Sequence, residues 1–80
     1  MTKDERFLLQ AYLTRVKGEL DSEWVALEIA VEVGFSERTT LAICRQLVRG
    51  NFIEKSEEGV YFLTPHGISV AESLLEEQGE

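Results

Sequence analysis

Apolar residues in the first segment recur at Phe7, Leu8, Ala11, Tyr12 and Val16, the three-and-four spacing of an amphipathic helix. The pattern predicts a helix over about Lys3 to Lys17, ended at Gly18. Leu20 then reads as a short extended link before Asp21 and Ser22, either of which can cap a second helix. That helix, about Ser22 to Val33, is apolar at Trp24, Val25, Leu27, Ile29, Ala30, Val31 and Val33, and Glu28 and Glu32 mark a solvent edge. So much apolar surface exceeds a single buried stripe. Either the domain wraps this helix or a partner covers the remainder.

Gly34 is placed to end the second helix in the left-handed conformation that glycine reaches without steric penalty. Ser36 then caps a third helix, about Glu37 to Arg49. Its apolar face comprises Thr40, Ile43, Cys44 and Leu47, while Arg38, Arg45 and Arg49 lie mostly away from that face. Gly50-Asn51 suits a helix stop. Phe52 to Ser56 and Val60 to Thr64 read as the strands of a hairpin turned at Glu57-Glu58-Gly59. Thr64-Pro65 opens a last helix running to about Gln78, with Ile68, Ala71, Leu74 and Leu75 on one stripe.

Helix, short strand, helix, tight turn, helix, two-stranded hairpin, helix is the layout of a winged helix-turn-helix domain. The chain resembles that family, and most closely its small MarR- and PadR-type regulators. The resemblance spans about residues 4–76 and rests on order and spacing. Ala30 and Gly34 stand at the small-residue and turn positions, Thr40, Ile43 and Leu47 at the core positions of the recognition helix. "LVRGNFIEK" is similar to the helix-to-wing junction and "FLTPHG" to the wing-to-helix junction. The fold expected is mainly α with a small β-hairpin: a three-helix core, a two- or three-stranded wing and a C-terminal helix. Residues 1–80 form one domain, with the helix-turn-helix at about 22–50, the wing at about 52–64 and the last helix at about 65–78.

The resemblance implies a transcriptional regulator that sets the third helix in the major groove of double-stranded DNA, generally as a homodimer. Carried over by position, the DNA-contacting residues are Ser36, Arg38, Thr39, Arg45 and Arg49. Arg38 suits a guanine edge or a phosphate, Ser36 and Thr39 a phosphate oxygen at the helix start, and Arg45 and Arg49 the backbone.

Charge brings in a second possibility. Eight basic against fifteen acidic side chains leave a net charge of −7. Residues 36–50 carry +2, whereas 20–35 and 65–80 each carry −4, so positive charge gathers on the third helix. Leu41 and Ala42 offer DNA only a methyl contact, and Glu54, Glu57 and Glu58 surround the single Lys55 of the wing. The alternative is therefore a winged-helix module that binds another protein chain through its acidic wing and apolar helix faces.

Candidate chemistry adds little. With one cysteine and one histidine there is no disulfide and no expected metal set, and no phosphate-cradling glycine loop is present. Neither a cofactor nor catalysis is expected. Cys44 reads as a small core residue, with redox sensing as its rival role, and His66 as a surface residue. The charged start and the lack of a long apolar run predict a cytoplasmic protein without membrane attachment.

Overall fold

The computed structural model describes residues 2–16, 23–24, 26–56 and 60–78. Among them run α1 (Lys3–Val16), β1 (Glu23–Trp24), α2 (Ala26–Val33), α3 (Glu37–Arg49), β2 (Ile53–Lys55), β3 (Tyr61–Leu63) and α4 (Pro65–Gln78). The protein is mainly helical with a small antiparallel hairpin, a compact α+β arrangement. No helix among the described residues is long and apolar enough to cross a membrane.

Helix α1 begins on a reciprocal cap that satisfies two of its unpaired donors. Glu5 N donates to Thr2 Oγ1 at 3.1 Å, and Thr2 N donates to Glu5 Oε1 at 2.8 Å. The bond from the Thr2 backbone holds the Glu5 carboxyl below its ordinary value. Phe7, Leu8 and Ala11 then turn inward, as their spacing requires, and Arg6 lies 5.8 Å over the ring of Phe35 in the turn after α2.

The start of the second helix differs from the expectation. Residues Glu23 and Trp24 are strand, pairing antiparallel with Phe62 and Tyr61, and α2 begins only at Ala26. The hairpin leaves one edge of β3 with unpaired backbone groups, and the two-residue strand pairs with that edge. The sheet order is consequently β1-β3-β2. The Asp21 and Ser22 caps, the Leu20 link, Gly18 and the turn at Glu57-Glu58-Gly59 lie outside the described residues.

Helix α2 is buried on one side only, through Ala26, Ile29 and Ala30. Of the apolar residues named on this helix, Ile29 is 0% exposed, whereas Val31 is 80% and Leu27 44% exposed. Among the described residues, nothing covers that side of the helix. Its end is as expected: Gly34 has φ +77°, and the N–H groups of Gly34 and Phe35 both reach the Ala30 carbonyl, at 2.8 and 3.0 Å.

A single core joins Phe7, Leu8 and Ala11 of α1 with Ile29, Ile43, Cys44 and Leu47, closed by Ile53, Tyr61 and Leu63 of the sheet and Ala71 of α4. On α3, Thr40, Ile43, Cys44 and Leu47 are buried on one face of the helix. Buried Thr40 hands its hydroxyl proton to Ser36 O at 2.8 Å, so no polar atom is stranded there.

The junction from α3 to the sheet and on to α4 is tied at one point. Asn51 takes φ +63°, its N–H reaching Val48 O, while Phe52 N reaches Leu47 O. These are the paired bonds of a helix stop, with asparagine and not Gly50 in the left-handed position. Thr64 caps α4, since Gly67 N donates to Thr64 Oγ1 at 3.0 Å. The Thr64 hydroxyl in turn donates to Asn51 O at 2.6 Å and leans on Phe52 O at 3.1 Å. Gly67 sits so close that a Cβ would stand 1.9 Å from the Phe52 carbonyl oxygen. His66 is exposed and stacks on the Phe52 ring, with centroids 4.8 Å apart. This knot holds the hairpin against the end of α3.

Candidate nucleic-acid interface

Arg38, Arg45 and Arg49 are spaced by two and then three turns from the first, so they share one stripe on α3, opposite its buried face. The stripe runs roughly 16 Å along the axis, at about 1.5 Å per residue. All three are exposed, as are Leu41 and Ala42 between them. No hydrogen bond or ion pair engages the three guanidinium groups among the described residues.

Ser36 and Thr39 occupy the start of the same helix and hold each other. Thr39 N donates to Ser36 Oγ at 3.2 Å, and the Ser36 hydroxyl donates to Thr39 Oγ1 at 3.1 Å. Ser36 thus spends its side chain on the cap, whereas Thr39 keeps its own hydroxyl proton. The first helical bond runs from Thr40 N to Ser36 O at 2.9 Å, so the N–H groups of Glu37 and Arg38 point outward without intrahelical acceptors. Glu37, in that first turn, complements the helix dipole and sets a negative charge beside those donors.

Between α3 and the sheet lies a cleft of about 330 Å³. Its helix side is formed by Leu41, Arg45, Val48 and Arg49, its sheet side by Lys55 and Tyr61, and Cys44 reaches its floor. The fold so brings Arg45 and Arg49 together with Lys55, and leaves Ser36, Arg38 and Thr39 near the other end of the helix. Lys55 lies outside the residues that the resemblance implies, since along the chain it stands among glutamates. Strand alternation separates them: Ile53 and Lys55 share one face, Glu54 takes the other. Register places Lys55 opposite Tyr61, and Glu54 opposite Phe62. Glu57 and Glu58 lie outside the described residues.

Cys44 is 1% exposed. Burial pushes its thiol up to about 11, although the Tyr61 hydroxyl and Lys55 pull the other way. Burial also raises Tyr61 above its ordinary value, with Cys44 adding to the shift. Burial thus favours the protonated thiol of Cys44 over the thiolate.

No protein-family model matches the chain, and a search of curated proteins returns no match.

Proposed function

We propose that this chain is a winged helix-turn-helix DNA-binding regulator that sets α3 in the major groove. The observation that carries the reading is the stripe Arg38–Arg45–Arg49 with Lys55 turned to the same side, a positive surface on a protein of net charge −7. In this reading Arg38 reaches a base edge or a phosphate near the helix start. Ser36 and Thr39 set the outward N–H groups and one hydroxyl toward a phosphate oxygen. Arg45, Arg49 and Lys55 take backbone phosphates further along. Net acidity does not oppose this arrangement, because Glu54 occupies the far face of its strand and exposed charges beyond about 10 Å are screened at ordinary salt.

The test is binding of labelled mixed genomic fragments, followed by fluorescence anisotropy at low salt and then across a salt titration. Association is expected, with a log–log slope of roughly −0.9 per neutralised phosphate. Arg45→Ala, Arg49→Ala and Lys55→Ala should each lower that slope by about 1, and Glu54→Gln should not weaken binding. No association at low salt overturns the reading.

One observation favours a second reading, a protein-interaction module. Leu27 and Val31 stand one turn apart on α2 and are both open to solvent, beside exposed Glu28 and Glu32. A partner chain, or a second copy in a dimer, would cover them. Light scattering across a concentration series separates the cases, since a persistent monomer that also binds no DNA leaves only a heterologous partner.

A further inference from the structure

The cleft between α3 and the hairpin has a shape that the DNA contact does not require. Its lining comes from the flank of α3 on one side and from Lys55 and Tyr61 of the sheet on the other. Leu41 and Val48 line it two turns apart and are 48% and 41% exposed, large apolar side chains left in water on either side of Arg45. At the same rim stand Arg45, Arg49 and Lys55, without carboxylate partners among the described residues. Cleft volumes of about 300 Å³ and upward, apolar walls and a few convergent polar groups are the general features of small-molecule sites.

Three cationic heads at one rim set the charge of the ligand. A carboxylate would neutralise one of them and, with two oxygens, engage one guanidinium fork. A phosphate monoester carries nearly two charges at neutral pH and three terminal oxygens, enough to accept from both arginines and the lysine together. The cleft sets the body of the ligand: a flat ring laid on Leu41 and Val48 takes their exposed apolar surface out of water.

We infer that this cleft binds a ring-bearing phosphate monoester of the nucleoside monophosphate class, with its phosphoryl group held by Arg45, Arg49 and Lys55 and its ring seated on Leu41 and Val48. The site goes beyond the proposed DNA contact and shares three cations with it, so ligand and DNA exclude each other.

The experiment is a titration of the isotopically labelled full chain with adenosine monophosphate, followed by amide chemical shifts. Inorganic phosphate and adenosine serve as separate probes. Saturable shifts centred on Leu41, Arg45, Val48, Arg49, Lys55 and Tyr61 are expected, with each half-probe binding about tenfold or more weakly. Arg49→Gln and Lys55→Gln should each weaken adenosine monophosphate by about tenfold, the scale of one charge-assisted bond. Arg38→Gln, outside the cleft, should leave it unchanged while weakening DNA. Shifts scattered over the surface, no saturation, or inorganic phosphate binding as well as the nucleotide would each overturn the inference. A chain that takes the nucleotide but no DNA fails the proposed function alone; the reverse result fails this inference alone.

Discussion

Replacing Gly67 by alanine tests whether the knot at the start of α4 holds the hairpin in place. By intrinsic preference the change should help, since glycine inside a helix costs about 0.5–1 kcal/mol relative to alanine. The geometry reverses the sign. The new methyl would lie 1.9 Å from Phe52 O, a main-chain atom that cannot rotate aside. An ordinary carbon–oxygen contact is roughly 3.3 Å, so the two segments must separate by more than about 1 Å. Thr64 N and Thr64 Oγ1 both reach Phe52 O at 3.1 Å, close to the upper limit of roughly 3.2 Å for a good bond. Separation therefore sacrifices two bonds at about 0.5–1.5 kcal/mol each and loosens the Phe52–His66 stack, worth a similar amount. Set against the helical gain, the net loss is about 2–3 kcal/mol.

That is a large share of the total for a domain of this size, whose stability is about 4–12 kcal/mol at 0.05–0.15 kcal/mol per residue. Urea denaturation followed by far-ultraviolet circular dichroism measures it, with midpoint and slope fitted together. Gly34→Ala is the internal standard. Nothing lies within 4 Å of its would-be Cβ, so it meets only the penalty of its φ of +77°, about 1–2 kcal/mol. A Gly67→Ala protein as stable as the parent, or more stable, refutes the reasoning.

Other expectations follow from single contacts. Asn51→Gly should be neutral or stabilising and Asn51→Ala should cost about 1 kcal/mol, because only the first relieves its φ of +63°. Ser36→Ala should cost about 1 kcal/mol by removing the acceptor for Thr39 N, visible as a lower urea midpoint. The Cys44 thiol contributes stability that is complete below about pH 9 and lost as pH rises through about 11, since the folded value lies above the unfolded one. Two units correspond to at most about 2–3 kcal/mol. The parent protein should therefore lose more stability between those pH values than Cys44→Ala does, and an equal loss would contradict the burial argument. Lysine at both Leu27 and Val31 should change stability by less than about 0.5 kcal/mol each, as exposed positions allow, and should abolish any self-association measured by light scattering.

Sequence alone carried the local decisions. Apolar spacing sufficed for α1 and α3 because an amphipathic helix writes its buried face at fixed intervals: Phe7, Leu8 and Ala11, then Thr40, Ile43, Cys44 and Leu47, are all buried; on α4 it held for Ala71 and Leu74 but not for Leu75, which is 39% exposed. Gly34, the Ser36 cap and Thr64-Pro65 were equally legible, since caps and stops depend on a few adjacent atoms. The reciprocal cap of Thr2 and Glu5 was open to the same reading and was overlooked.

Tertiary structure decided what depends on neighbours distant in the chain. Glu23 and Trp24 become strand because β3 offers an unpaired edge some forty residues later, which no local pattern encodes. Which apolar residues of α2 are surplus depends on what packs against it, and the outcome is Leu27 and Val31, not Ile29. The necessity of Gly67 arises from a carbonyl fifteen residues earlier. The gathering of Lys55 with Arg45 and Arg49 needs both strand alternation and the docking of the hairpin on α3. Charge summed along the chain made the wing simply acidic. Sorted by face, Lys55 stands apart from Glu54 on β2, because a side chain acts where its strand turns it.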